Sequence, residues 1–414
     1  MLKEQIVGSL KKNEVAHEEF KLGVCFGHFL VNRDDLKAVP FEGEQGIESL
    51  LEYLTRNGWE GLYEEEALIG VRKDNATVLL QAGGQIEVWI AKTASLKVID
   101  KTYLDFLQSL GSELEARNQL LLSIGYQPVS KAEDIELMPM AKAKLLAEQL
   151  QDDPAALKAL KAAAKTVVVL DYAHSDDFEK KYRVVATLAP VFAALLDNIP
   201  VLDGEEYNQF TAGIALDDDK KTALAKVENV ITGHSFKYAQ YSNFVANAPA
   251  VAVEENQQIV ASAKTNEEVY EDQNMTEEQV AGVLDMVMPE VKATTRGLEL
   301  HFVDALPYPL NMAYVALIKG LLYNADNMNA LYEFVLNLNK ELLDSLRQTV
   351  IEQGMEAKFN EGTVQEVAKD LYFMSTPQLP EEEQHYTQPL DAIIFKHICP
   401  KNVTKRQLAA MQGK

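Results

Sequence analysis

Cysteine is almost missing from this chain, which has two in 414 residues, Cys25 and Cys399. Without ligand-type spacing, two cysteines build neither a disulfide framework nor a zinc site, and the reading is of reduced thiols in the cytoplasm. Long apolar runs are also missing. No stretch approaches the ~18 residues of a membrane span, and the opening MLKEQIVGSLKKNEVAHEEF lacks the apolar core of a signal peptide. There is no internal repeat, low-complexity tract or linker rich in Gly, Pro or Ser, so residues 1–414 read as one domain. Positive charge is scarce: 39 Lys and Arg stand against 63 Asp and Glu, a formal charge of −24. Such a field repels phosphate backbones and anionic lipid, which disfavours nucleic-acid and membrane partners. ATP is still compatible where local cations or a metal receive it. What the chain does have is 47% hydrophobic residues, ample for a sizeable core.

Periodicity gives the elements. Residues 1–20 carry Ile6, Leu10 and Val15 among charges, a weak amphipathic helix. In 21–32, Leu22, Val24 and Phe26 alternate with Gly23, Cys25 and Gly27, as in a strand. Ile47, Leu50, Leu51 and Leu54 have helical spacing, ended by Gly58. Trp59 to Ala91 is strand-like around Gly83-Gly84, and a helix is expected from about Leu96 to Ile124. Asp153-Pro154 starts an alanine-rich helix reaching Ala164. A strand at Thr166–Tyr172 precedes a long helix from Asp176 to about Asp197. The 200–275 stretch is polar and carries no clear pattern. Capping boxes open helices at Thr276 and Thr363, Arg296–Asp304 alternates as a strand, and the chain after Pro307 reads as wholly helical. Strands clustered before residue 305 and helices in 306–414 predict an α+β fold, a mostly antiparallel sheet flanked by helices.

Several segments carry a resemblance in register. KLGVCFGHFL (21–30) is similar to a G-x-E-x-E strand, and LLQAGGQIEV (79–88) to L-E-P-G-G-Q-x-E. GWEGLYEEEALIG (58–70) and LSIGYQPVSKAEDIELMP (122–139) match further motifs, and DYAHSDDFEKKYRVVATLAPVFAALLDN (171–198) matches a helix. GLELHFVD (297–304) matches a last strand. The ordered set resembles the glutamate–cysteine ligase family of plant and proteobacterial type. That resemblance implies a sheet of about six antiparallel strands of glutamine-synthetase-like kind. It also implies ATP-dependent joining of the glutamate γ-carboxylate to cysteine through an acyl phosphate, the first step of glutathione biosynthesis.

Such chemistry brings anions together, so magnesium must neutralise developing charge. Magnesium takes oxygen ligands in octahedral array, and carboxylates two apart on a strand share a face to supply them. Carried over residue by residue, the resemblance leaves Glu64, Glu87 and Glu299 as metal ligands, His301 beside them, and Arg183 and Arg296 as substrate contacts; Asp304 also falls in register. Cys25 and Gly27 replace the first pair of glutamates. Gln81 replaces another glutamate, Val167 and Val169 replace a Gln and an Asn, and Thr211 replaces an Arg. Neither thiol nor glycine substitutes for a hard oxygen anion.

These losses converge on one site, so the leading expectation is a catalytically degenerate homologue, a pseudoenzyme retained for binding or assembly. The rivals are an active, diverged carboxylate–amine ligase using Glu64, Glu87 and Glu299 with Mg and ATP, and a purely structural subunit. Bland readings stand beside the sharp ones. Cys25 and His28 point to opposite faces of their strand, so Cys25 is expected to be buried and inert. Glu299, His301 and Glu87 could hold a transition metal, but a strand histidine is usually just hydrogen-bonded. Gly83-Gly84 reads as a structural turn, Glu64-Glu65-Glu66 as a solvated run, and Leu317, Leu321, Leu322 and Leu331 as core or a homodimer face. The ligand is expected to be a small molecule such as an amino acid or ATP, or a protein.

Overall fold

The strands form where β-branched and apolar residues alternate. The computed structural model describes residues 1–227, 230, 235–255, 258–270 and 273–413, and parts of the patternless 200–275 stretch lie outside them. Nine strands make one sheet: β1 (Leu22–Asn32), β2 (Glu60–Glu64), β3 (Ala67–Lys73), β4 (Ala76–Leu80), β5 (Gln85–Thr93), β6 (Gln119–Leu122), β7 (Thr166–Leu170), β8 (Val291–Thr294) and β9 (Gly297–Leu300). Their order is β8-β9-β7-β1-β5-β4-β3-β2, with β6 paired to the far half of β1, and all these pairs are antiparallel. The sheet is therefore wider than the six strands implied by resemblance. The edge hairpin β2–β3 widens it, and so does β6, where Asn118 turns the chain with a positive φ of 54°. For the same reason the helix expected from Leu96 to Ile124 stops at Ala116.

The first seven helices are α1 (Leu2–Lys11), α2 (Ile47–Arg56), α3 (Leu96–Ala116), α4 (Ala141–Gln149), α5 (Pro154–Ala162), α6 (Ser175–Leu195) and α7 (Ala212–Asp219). The expected caps are in place. Asp153 accepts the Ala156 amide at 3.2 Å, and both capping boxes, Thr276 with Gln279 and Thr363 with Glu366, are closed. Asp153 also accepts the Lys221 and Thr222 amides at 2.7 Å, fastening the segment after α7 to the start of α5. Beyond residue 306 the longer elements are helices, with a short strand pair at Lys358–Phe359 and Gly362–Thr363.

The two faces of the sheet are unlike. Val24, Phe26, Val88, Val168, Leu298 and Leu300 face a core that runs from Leu2 to Ile394. Phe26 packs on Tyr103 of α3 with ring centroids 4.6 Å apart. His28 shares this apolar face, with its Nε2 2.8 Å from the Tyr103 hydroxyl. Burial holds that imidazole down to about 4, so it is neutral at ordinary pH. The opposite face carries the polar residues and is roofed by α4, α5, α7 and the 285–290 segment.

Candidate functional site

Strand register builds the floor of the site. Cys25 lies between Trp89 of β5 and Val167 of β7, Gly27 lies opposite Glu87, and Val169 lies between Gly23 and Glu299. Lys292 lies opposite Glu299 on β8. Residues directly opposite on paired antiparallel strands share a face, so the positions singled out in the sequence are brought together. Gly27 is tightly enclosed. Its amide donates to the Lys165 carbonyl at 3.0 Å, and a Cβ added there would sit 2.8 Å from that oxygen and 3.2 Å from the Ala164 Cβ. Backbone fills the place where the resemblance puts a glutamate.

The two floor glutamates are already engaged. Glu87 Oε2 accepts from Gln81 Nε2 at 2.7 Å and from Trp89 Nε1 at 2.8 Å. Glu299, 1% exposed, accepts from Thr294 Oγ1 at 2.6 Å and Arg296 Nε at 2.8 Å, and its other oxygen lies 3.0 Å from His301 Nε2. Burial would raise the Glu299 carboxyl, but His301, Arg296 and Lys292 more than offset it and hold it well below the usual carboxylate range. Arg296 also donates to Asp285 Oδ1 at 3.0 Å and lies over the Trp89 ring, 5.0 Å from its centroid. Cys25 is fully buried, and burial followed by the charges of Glu87 and Glu299 pushes its thiol well up. A thiol in such surroundings is a poor nucleophile.

Three predicted site residues lie elsewhere. Glu64 ends the edge strand β2, three strand steps from β5, on the order of 14 Å away, and its Oε1 accepts the first amide of α4, Ala141 N, at 2.6 Å. It is a helix-capping group, not a partner of Glu87 and Glu299. Arg183 is buried within α6, where its Nε meets Glu179 Oε1 at 3.1 Å, and it does not line the cavity over the floor. Thr211 begins α7 with a positive φ of 48°, and its amide donates to Asp197 Oδ2 at 3.0 Å.

Over the floor lies a cavity of about 210 Å³, lined among others by Gln81, Glu87 and His301 from the sheet and by Leu146, Leu160 and Leu216 from the helices. That is below the ~300 Å³ at which ligand pockets usually begin. A neighbouring cavity of about 440 Å³ shares Asp217, Lys220 and Glu290 with it, and Arg347 lines its far side. Sequence reasoning missed the lysines of the smaller cavity, Lys142, Lys165, Lys220 and Lys292. The signal for Lys292 was available, since it falls on the polar face opposite Glu299. Lys165 Nζ meets Asp304 Oδ1 at 3.5 Å, and Lys220 pairs with Asp217. Sequence reasoning also missed Gln85, whose amide oxygen accepts Gly83 N at 2.9 Å while its nitrogen donates to the Leu160 and Ala163 carbonyls at 3.1 and 3.0 Å. A Cβ on Gly83 would stand 1.8 Å from the Lys161 carbonyl oxygen, so the double glycine is the seat of the α5 terminus.

The donor set does not fit a magnesium centre. Hard anionic oxygens are absent at residues 25, 27 and 81, the floor glutamates are held by the protein, and among the described residues no three His, Cys, Asp or Glu side chains gather as metal ligands do.

The comparisons agree with the sheet. No family model matches the chain. It is 21% identical over 419 aligned positions to the chloroplastic glutamate–cysteine ligase B of Oryza sativa subsp. japonica, covering 97% of this chain and 82% of that protein. It is 22% identical over 415 positions to the chloroplastic glutamate–cysteine ligase of Arabidopsis thaliana, covering 97% and 78%. Among solved structures, the glutamate–cysteine ligase of Francisella tularensis in complex with AMP superposes with a TM-score of 0.53 at 11% identity, over 94% of this chain and 85% of that one. In sequence over nearly its whole length, and in fold, this chain is a homologue of the glutamate–cysteine ligases.

Proposed function

We propose that this protein is a catalytically degenerate glutamate–cysteine ligase homologue, a pseudoenzyme that binds a small polar molecule without joining glutamate to cysteine. The observation that supports it most is the floor. Cys25, Gly27, Val167 and Val169 form its centre, and the glutamates that remain, Glu87 and Glu299, are held by Gln81, Trp89, Thr294, Arg296 and His301. These bonds aim the two carboxylates at protein side chains, and turning one toward an ion costs about 1.5–3 kcal/mol for each charged bond that breaks. The rival of a diverged ligase working through Glu64, Glu87 and Glu299 is weakened because Glu64 caps α4. The scarcity of positive charge supports a small-molecule partner over nucleic acid or membrane. A buried Cys25 fits a reducing, cytoplasmic setting. Phosphate release is to be measured with glutamate, cysteine and Mg-ATP. The expected result is release at the level of a no-enzyme control, and turnover at or above ~1 s⁻¹, in the range of working enzymes, would overturn the proposal.

A further inference from the structure

Two ammonium groups meet at the rim of the small cavity on one main-chain carbonyl. Lys292 Nζ donates to the main-chain carbonyl of Asp285 at 2.8 Å, and Lys142 Nζ donates to the same oxygen at 3.4 Å. The two nitrogens therefore stand within about 6 Å of each other, a separation at which like charges repel appreciably in a partly desolvated site. Neither makes an ion pair among the described residues, and the side-chain carboxylate of Asp285 is taken by Arg296. Lys292 is 9% exposed. An ammonium has three N–H donors, and each of these two spends one on the Asp285 carbonyl. The crowding shows in Lys292 itself, whose amine is held down to about 8 by burial and then by Lys142.

A buried cation left with spare donors beside a second cation is ordinarily completed by an anion. Other charges face the same cavity. Lys165 and Lys220 are neutralised by Asp304 and Asp217. Glu290 is held by Arg347 at 2.9 and 3.0 Å, and Glu87 accepts from Gln81 and Trp89. Among the described residues, Lys142 and Lys292 are thus the cavity's cations without an ion pair, though Glu299 and Asp285 attract Lys292 from nearby.

We propose that Lys142 and Lys292 form a metal-independent site for the carboxylate or phosphate group of a small metabolite, whose body occupies the cavity above β5 and β9. This deepens the binding reading above and rests on it. Fixed ammonium groups here supply the positive charge that a ligase of this fold would draw from divalent ions, which lets an oxyanion bind where carboxylates are too few to hold a metal. The cavity volume restricts the occupant to something smaller than a nucleotide.

The test is calorimetry on the intact protein in EDTA, with inorganic phosphate in one arm and succinate in the other, at fixed ionic strength. Binding of either, unchanged when Mg replaces EDTA, is expected, and the arm that binds more tightly names the group. Lys142→Met is at the surface and leaves the fold alone, and it should weaken binding at least about tenfold, as should Lys292→Met if its circular dichroism is native. No binding in either arm overturns the site, as does binding that requires Mg or equal binding to the Lys142→Met variant. Ligase turnover is read separately. Absent binding with absent turnover removes the anion site alone, whereas turnover removes the degenerate reading whether or not an anion binds.

Discussion

One strand, β1, serves two surfaces that have been shaped in opposite ways. On its apolar side Val24, Phe26 and His28 sit in a continuous core, each satisfied by a close neighbour. On its other side Cys25 and Gly27 leave a thin floor, whose glutamates are held by surrounding side chains such as Trp89 and Arg296. The first surface can be strictly packed because burial of apolar area is non-directional. The second must position charges, and charges are stable there only in closed networks. The comparison teaches that one strand can meet two demands at once: its apolar face needs only close packing, whereas its floor needs each charge to have a partner.

Substitutions on the two faces should differ in size. Phe26→Ala empties a buried aromatic site and should cost about 3–5 kcal/mol, read as a lower denaturant midpoint, whereas Cys25→Ser next to it should cost about 1–3 kcal/mol. Equal losses would break the comparison. Gly27→Glu, which writes a carboxylate back into the floor, should fall in the same smaller range as Cys25→Ser, its Cβ meeting the Lys165 carbonyl at 2.8 Å. It should destabilise by about 1–3 kcal/mol through overpacking and restore no turnover.

A smaller effect is expected at Glu299. Glu299→Gln keeps the shape and removes the charge that Arg296 and His301 share, and because Arg296 is half exposed the loss should be only about 1–2 kcal/mol at neutral pH. The folded carboxyl lies below its ordinary value of 4.5. Its contribution is therefore present above that pH and fades as pH falls below it. The stability gap between wild type and variant should close on acidification, and a gap constant from pH 6 to pH 3 would contradict the network.

The last effect is read as a slope. Because the His28 imidazole is held from 6.5 down to about 4, the unfolded chain takes up a proton first. Its contribution is full above about 6.5 and is lost as pH falls through 4, roughly 3 kcal/mol at most. His28→Leu should flatten that part of the profile relative to wild type. An unchanged slope would place His28 outside the apolar face.

Much of this was legible in the chain. Alternation in KLGVCFGHFL placed Cys25 and His28 on opposite faces, and the structure agrees. The capping boxes at Thr276 and Thr363 were read from four residues each, because a cap is a local hydrogen bond. Elements that depend on distant contacts are not written locally in the chain. β6 is an apolar QLLL that reads as the end of a helix until β1 offers it a pairing edge. Glu64 shares a motif with the site but not its location, since register along a segment does not say which strand lies at the sheet's edge. The pair of Lys142 and Lys292 was invisible because the two residues are far apart in the chain and meet only at a carbonyl that belongs to neither.

Gln85 binds the β4–β5 turn to the last turn of α5 through three main-chain groups. Turn and helix end therefore move as one body, and that wall cannot swing out to admit a guest. Any widening of the cavity falls to the other walls, where Lys142 of α4 reaches the Asp285 carbonyl through a long contact of 3.4 Å. Entry and retention would then share one latch.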